Sequence, residues 1–293
     1  KVMELNYWGS TLCERASFDA AKQEWTVQVI RNGKPMTLRP RHLVLATGMS
    51  SVPNMPKFPG MEKFKGDQHH SSAHPGPDRY AGKKCVVIGS NNSAHDICAA
   101  LWEVGADVTM VQRSSTHVAK SATLMELDLG PNYSEDAVAR GIDVNTADLI
   151  VAAEPYRLKH LGGIEMVKKM KARDADFYAR LANAGFMHDF GDDESGLGMK
   201  YLRRGSGYYI DVGASDLIAD GRVKLKSGVS FERIQANSVV LTDGSVLPAD
   251  VIVYATGYGS MNGWAARLIS QEVADRVGKC WGLGSATTKD PGP

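Results

Sequence analysis

Cysteine is scarce in this chain. Four residues, Cys13, Cys85, Cys98 and Cys280, are spread over 293 positions. No two stand in a C-x-x-C pair, which excludes a redox dithiol and a zinc ribbon. Long hydrophobic runs are also missing, so nothing approaches the roughly 20 residues of a membrane span. No apolar stretch follows Lys1, and the opening KVMELNYWGS lacks the core of a signal peptide. An excess of charge of one sign is absent too. Lys and Arg number 34 against 33 Asp and Glu, a net +1 that gives no global pull toward nucleic acid or membrane. These absences imply a reducing, cytoplasmic setting with Cys85 and Cys98 as buried thiols. The length allows one or two domains, and a hydrophobic share of 43% supplies a sizeable core.

What is present is organised around Lys83–Asp96, KKCVVIGSNNSAHD. Cys85-Val86-Val87-Ile88 reads as a buried parallel strand. Gly89-Ser90-Asn91-Asn92-Ser93-Ala94 follows, and then Ile97, Cys98, Leu101 and Val104 recur at helical spacing. Strand, tight polar turn and helix aim free backbone N–H groups at a pyrophosphate. The pattern G-x-G-x-x-G/A is met at Gly89 and Ala94, with Asn91 replacing the middle glycine. Asn tolerates left-handed backbone, so the turn still forms. A second strand, Val108 to Gln112, ends in Arg113-Ser114. An acid there suits the ribose hydroxyls of NAD. An arginine followed by a hydroxyl suits the extra phosphate of NADP.

In chain order, residues 1–20 show no clear period. Trp25, Val27 and Val29 alternate as a half-buried strand, and Asn32-Gly33 signals a hairpin with Met36 and Leu38 on the returning strand. Leu43-Val44-Leu45 leads as an apolar strand into Ala46-Thr47-Gly48. Pro53, Pro56 and Pro59 stiffen a connector, and Phe64 to Pro77 reads as irregular crossing chain. Residues 137–140, 147–153 and 160–186 read as helical. Lys168, Lys169, Lys171, Arg173, Asp174 and Asp176 make a solvated face. Asp192 and Asp193 lie in a Gly/Ser-rich loop that reads as exposed rather than metal-binding. Tyr208-Tyr209 is either packing or a cavity wall. Strands return at 223–226, 229–231 and 239–241, with Asp243-Gly244 as a hairpin turn and Val251-Ile252-Val253-Tyr254 leading into Ala255-Thr256-Gly257. A hairpin and an apolar strand ending in Ala-Thr-Gly thus occur twice, either side of the dinucleotide unit. Small residues at a strand's carboxyl end let a ligand approach the backbone closely.

These motifs resemble the class B flavoprotein monooxygenases: flavin-containing monooxygenases, the YUCCA type and Baeyer–Villiger monooxygenases. Ala46-Thr47-Gly48 with the Pro-rich linker resembles the exit from the family's FAD domain. Phe64-x-Gly66-x-x-x-His70-x-x-x-His74-Pro75 resembles its fingerprint, although His74 stands where an aromatic normally closes it. Gly89–Ala94 resembles the NADPH turn, and Ala255-Thr256-Gly257-Tyr258 the second A-T-G-Y. Order and spacing agree over residues 43–114 and 238–258, and residues 115–222 match no motif. The family's first G-x-G-x-x-G, which holds FAD, has no counterpart in residues 1–45. With Lys1 at one end and Pro293 at the other, the expectation is a fragment lacking the amino-terminal part of the FAD domain.

The resemblance implies an α/β fold with two Rossmann-like dinucleotide-binding domains, the FAD part incomplete, and β-meander insertions. It divides the chain into a partial FAD domain (1–60), a crossing (61–81), an NADP domain (82–250, with a helical insertion at about 121–205) and a return to the FAD domain (251–293). It implies FAD and NADPH as cofactors, contacts from Ala46, Thr47, Gly48, His70, Gly89–Ala94, Arg113, Ser114 and Ala255–Gly257, and a small-molecule substrate with O₂. The implied reaction passes hydride from NADPH to FAD, activates O₂ as a flavin peroxide, and oxygenates a soft nucleophile or a carbonyl compound. No side chain is assigned as acid, base or nucleophile. His70, His69 and His74 without a neighbouring Cys or carboxylate ligand do not read as a metal site. A non-oxygenating flavin reductase and an inactive binding fragment are the alternatives.

Overall fold

The structure is a computed structural model and describes residues 5–279. Lys1, Cys280 and the glycine-rich stretch running to Pro293 lie outside the described residues. The chain forms two compact units. Of the described residues, one holds 5–52 together with 258–279, and the other holds 53–257. The divisions fall at 52 and 257 rather than at the expected 60 and 250, because strands on both sides of the dinucleotide motif join one sheet.

The first unit is an antiparallel meander of β1 (Thr11–Asp19), β2 (Glu24–Arg31) and β3 (Lys34–Leu38). Asn32 and Gly33 take φ of 50° and 77°, the pair of positive values that a tight hairpin turn needs to match strand twist. Val27 and Val29 of β2 pack with Ala16 of β1. β1 was not legible, because Ala16 is its one fully buried residue and its register shifts between Cys13 and Arg15. Two short helices, Gly263–Leu268 and Gln271–Val277, complete the described part of this unit. The strand expected at Leu43-Val44-Leu45 does not form. The segment is irregular and Val44 is 81% exposed. Among the described residues no strand pairs with it, and apolar side chains alone cannot replace a ladder of hydrogen bonds. The internal repeat therefore holds for its second copy only.

The second unit is built on a five-stranded parallel sheet. Its strands are β4 (Asp67–His70), β5 (Lys84–Ile88), β6 (Asp107–Gln112), β9 (Lys224–Ser227) and β13 (Val251–Tyr254), in the spatial order β4-β13-β5-β6-β9. The intervening strands are β7 (His117–Lys120) and β8 (Tyr208–Asp211), a parallel pair, and the antiparallel β10 (Phe231–Gln235), β11 (Ser238–Leu241) and β12 (Val246–Pro248). Period-two side chains give the sheet two apolar faces. Cys85, Val87, Val108, Met110 and Val253 pack against helix α1 (Asn92–Glu103). Val86, Ile88, Val111, Ile252 and Tyr254 pack against Phe231, Ile234, Val239 and Leu241 of the small sheet. Ala94, Ile97, Cys98 and Leu101 supply the buried stripe of α1 at the spacing of one helical face. The α/β fold class expected from the sequence is thus observed.

β4 lies inside the segment expected to be an irregular crossing. It forms because Asp67 to His70 pair in parallel register with Val251 to Tyr254. Its polar side chains, DQHH, hid it. Gly66 just before it has no room for a side chain, since a Cβ would collide with the Asp250 carbonyl.

Residues 121–204 are helical as expected, in shorter pieces: α2 (Ser121–Leu124), α3 (Glu135–Ala139), α4 (Val144–Ala153), α5 (Tyr156–Arg173), α6 (Ala175–Asn183) and α7 (Gly196–Arg204). A further short helix, α8 (Ala214–Ala219), follows β8. The run expected over 160–186 breaks at Asp174, between α5 and α6. Asp174 is buried, not on the solvated face, because the Thr123 hydroxyl donates to it at 2.6 Å and Lys120 Nζ lies 3.5 Å away. Phe186 lies beyond α6 and is buried in the main core. Asp193 is ion-paired to Arg203 at 2.7 Å, and among the described residues no cluster is fit for a metal ion.

Gly66→Ala is expected to destabilise this unit by about 1–3 kcal/mol through overpacking against the β13 entry. A urea midpoint equal to that of the parent chain would show that the Asp250 carbonyl gives way freely.

Candidate functional site

The site is built at the carboxyl edge of the parallel sheet, where open α/β sheets take ligands. β5 ends at Ile88, and Gly89 turns the chain with φ of 128°. A Cβ on Gly89 would collide with the carbonyl oxygen of Ala255, so glycine is required here for close strand packing. The Gly89 N–H donates to Val111 O at 3.0 Å, which ties the turn to β6.

Asn91 is the N-cap of α1 with φ −97° and ψ −168°, an extended conformation. The left-handed backbone anticipated for it is not used, because the chain needs its positive φ two residues earlier, at Gly89. The Asn91 carbonyl accepts from Ala94 N and His95 N, while the N–H groups of Asn92 and Ser93 open the helix with no intrahelical carbonyl to bond. Ser90 is buried and its hydroxyl meets the Thr116 hydroxyl at 2.7 Å. Asn92 Oδ1 accepts from Ile210 N at 3.0 Å, pinning the helix start to β8. Ser93 is exposed and Ala94 is buried, where it lets α1 pack on the sheet.

Arg113 and Ser114 follow β6 and are exposed. Arg113 makes no ion pair among the described residues, so its guanidinium is free for an anionic group. β13 continues into Ala255-Thr256-Gly257. Ala255 N donates to Ile88 O at 2.9 Å, and the Thr256 hydroxyl donates to Asn54 O at 2.6 Å. The Gly257 carbonyl accepts from Asn54 N and from His70 Nε2, both at 2.9 Å. His70 ends β4 and is buried. Its Nδ1 accepts the Ser72 N–H at 3.1 Å, which fixes the proton on Nε2. Burial holds His70 below its ordinary value, and the bond to Gly257 opposes the shift. The structure thus brings together His70, Gly89–Ala94, Arg113, Ser114 and Ala255–Gly257 at the ends of β4, β13, β5 and β6. Ala46, Thr47 and Gly48 lie in the other unit, exposed, with nothing within 4 Å of a Cβ placed on Gly48.

Several residues escaped the sequence reading. Thr116, 1% exposed, bonds both Ser90 and Asn91. The signal was the hydroxyl run Ser114-Ser115-Thr116 after Arg113. Gln112 is fully buried and holds Met187 by both its N–H and its carbonyl, fastening the 186–190 segment to β6. His95 is fully buried on α1, stacked on Tyr209 with ring centroids 3.9 Å apart. Tyr209 is therefore packing, which closes the choice left open for that residue. Cys85 and Cys98 are buried free thiols, and burial pushes Cys85 up to about 12.

The pattern of the pyridine nucleotide-disulphide oxidoreductase family matches residues 19–190. The chain belongs to that family. It is 30% identical over 255 residues to the indole-3-pyruvate monooxygenase YUCCA1 of Oryza sativa subsp. japonica, covering 86% of this chain and 54% of that protein. It is 31% identical over 231 residues to YUCCA4 of the same plant, covering 78% of this chain and 46% of that one. The chain therefore spans about half the length of these curated relatives. Among solved structures, cyclohexanone monooxygenase bound to ε-caprolactone superposes with a TM-score of 0.61 at 18% identity, over 88% of this chain and 56% of that one. Oxidized steroid monooxygenase bound to NADP gives 0.60 at 22%, over 88% and 55%. The fold is shared with these enzymes, and the expected kinship with class B flavoprotein monooxygenases is borne out. No described helix is long and apolar enough to cross a membrane.

His95 sets a pH dependence of stability. Burial lowers it from 6.5 to about 4. The unfolded chain then takes up a proton first on acidification, so stability is complete above pH 6.5 and is lost as pH falls toward 4. The loss from this residue is on the order of 3 kcal/mol. His95→Phe keeps the stack on Tyr209 and removes the proton site. Its unfolding free energy is expected to fall less between pH 7 and pH 4.5 than that of the parent. Equal losses would remove His95 as the cause.

Proposed function

We propose that this chain carries the NADPH site of an NADPH- and FAD-dependent monooxygenase. The observation that carries the reading is the β5–Gly89–α1 turn at the carboxyl edge of the sheet, with the unpaired Arg113 at the end of the next strand. In this reading the N–H groups of Asn92 and Ser93, together with the dipole of α1, hold the pyrophosphate. The exposed Arg113 and Ser114 take the extra phosphate of NADPH, for which a guanidinium and a hydroxyl are suited donors. Ser90, Asn91 and Thr116 lock the turn from below. His70 and Asn54 hold the Gly257 carbonyl inward, leaving the small residues Ala255 to Gly257 at the edge.

The described residues fit one dinucleotide. Ala46–Gly48 form no strand end, and no glycine-rich turn among residues 5–52 offers N–H groups to a second pyrophosphate. FAD enters the proposal through the family, and no step here is assigned to it. When bound, the two cofactors supply hydride transfer and O₂ activation, while the protein supplies binding, orientation and exclusion of water. The substrate class is a soft sulfur or nitrogen nucleophile or a carbonyl compound. Two of the relatives are named for indole-3-pyruvate and cyclohexanone, both ketones, which puts ketones first in the assay. The setting proposed is cytoplasmic. The sequence holds no C-x-x-C pair, so the disulfide-reducing chemistry in the family's name is not part of the proposal.

Arg113→Ala is expected to weaken NADPH by about 10- to 100-fold, the worth of a charge-assisted contact, with NADH nearly unchanged. Equilibrium titration of both nucleotides decides this, and equal losses would remove Arg113 from the phosphate. A full-length protein that contains this chain and holds FAD is expected to consume O₂ with NADPH, faster when a ketone, sulfide or amine is added. NADPH oxidation indifferent to all three would favour the non-oxygenating reductase.

A further inference from the structure

The segment from Asp67 to Tyr80 contains a chain of polar side chains that takes no part in the proposed nucleotide contacts. Asp67 Oδ2 accepts from the Tyr80 hydroxyl and from Arg79, both at 2.6 Å. Asp67 Oδ1 lies 3.5 Å from His69 Nδ1. On the far side of that ring, His69 Nε2 meets His74 Nδ1 at 3.0 Å. The three rings lie against one another, with centroids 5.3 Å apart for His69 and His74, 6.1 Å for His69 and Tyr80, and 5.8 Å for His74 and Tyr80. His74 Nε2 is buried without a hydrogen-bond partner among the described residues. His74 occupies the position where the fingerprint otherwise ends in an aromatic. Here the flat ring is kept against Tyr80, and a titratable bond is added.

A bond between two imidazoles needs one N–H and one bare nitrogen. When both facing nitrogens carry protons, two N–H groups oppose each other at 3.0 Å and the bond becomes a repulsion. This bond brackets a functional turn. His69 and His74 stand on either side of Ser71–Ala73, and His74 N closes that turn on Ser71 O at 3.2 Å. His70, the residue before the turn, reaches the Gly257 carbonyl with one nitrogen and takes the Ser72 N–H on the other.

We propose that His74 is a positioning residue for the carboxyl-edge site: paired with His69, it clasps the Ser71–Ala73 turn that carries His70 to Gly257, and the clasp opens when both facing nitrogens are protonated. The proposal rests on the reading of that edge as the NADPH site. The groups facing His74 are Asp67 and His69 of β4 and Arg79 and Tyr80 of the following turn. Burial first, then the charges of His69 and Arg79, hold His74 below its ordinary 6.5, with Asp67 opposing. The clasp is therefore closed near neutrality and opens as pH falls below that value.

The test compares the parent chain with His74→Tyr, which keeps an aromatic ring and does not titrate in this range. NADPH affinity is measured at pH 7.5 and pH 5.5, with ring-nitrogen NMR of the histidines at the same two values. In the parent, Kd is expected to rise a few-fold more on acidification than in His74→Tyr, below the ceiling of about tenfold per pH unit that one protonation sets for a group held under 6.5. The NMR is expected to show the bond between His69 and His74 at pH 7.5 and its weakening at pH 5.5. Parallel changes in Kd for the two chains, or a bond equally populated at both pH values, would overturn the clasp. If the parent fails to bind NADPH at pH 7.5, the NADPH reading falls and the NMR alone decides the clasp. Should His74→Tyr not fold, His69→Phe serves in the same comparison.

Discussion

The carbonyl of Ala255 lies where a side chain on Gly89 would have to go, and much of the second unit depends on that contact. It allows β13 to lie beside β5 and still continue past the dinucleotide turn. With β13 seated, β4 gains its one partner among the described strands of the sheet, and the ends of four strands come level. A methyl group at position 89 would force β5 and β13 apart at the end where a ligand approaches. Glycine here serves the packing of protein on protein first. Its use in bringing backbone near a phosphate comes second.

Around that contact the polar residues work in pairs that fix one another. The Gly257 carbonyl is held by a ring nitrogen from β4 and a backbone N–H from the Pro-rich linker. Ser90 and Thr116 share a buried hydroxyl bond that couples the turn to the loop after Arg113. Such buried polar links cost free energy if half-satisfied, so each pins two segments rather than one. Arg113 stands apart from these links, exposed and unpaired, at the point where β6 ends.

What the sequence showed plainly was local. Val86 to Ile88, the stripe Ile97, Cys98 and Leu101, and the Asn32-Gly33 turn each carry their structure within a few residues, through period and backbone preference. What it hid depended on distant partners. β4 is all polar and is a strand only because β13 offers it a ladder from more than 180 positions away. Leu43 to Leu45 has the right composition for a strand and no partner among the described residues. Asp174 looked like one more charge on a helix, until a hydroxyl from Thr123 placed it inside. For the candidate site, the turn and Arg113 were legible, whereas Thr116 and the two bonds to Gly257 were visible only in three dimensions.

The strand order also bears on how the chain comes to be folded. β13 is the last of the five parallel strands to be made, yet it sits between the first two. During synthesis β5 and β6 can pair as soon as α1 has formed, but the side of β5 that β13 will cover stays open until Tyr254 has left the ribosome. Closing so long a loop is entropically slow. Through that interval an apolar strand edge, Cys85 to Ile88, is unprotected. Chaperone demand and aggregation during expression should therefore track the completeness of the segment 251–257 more than any change in the helices between.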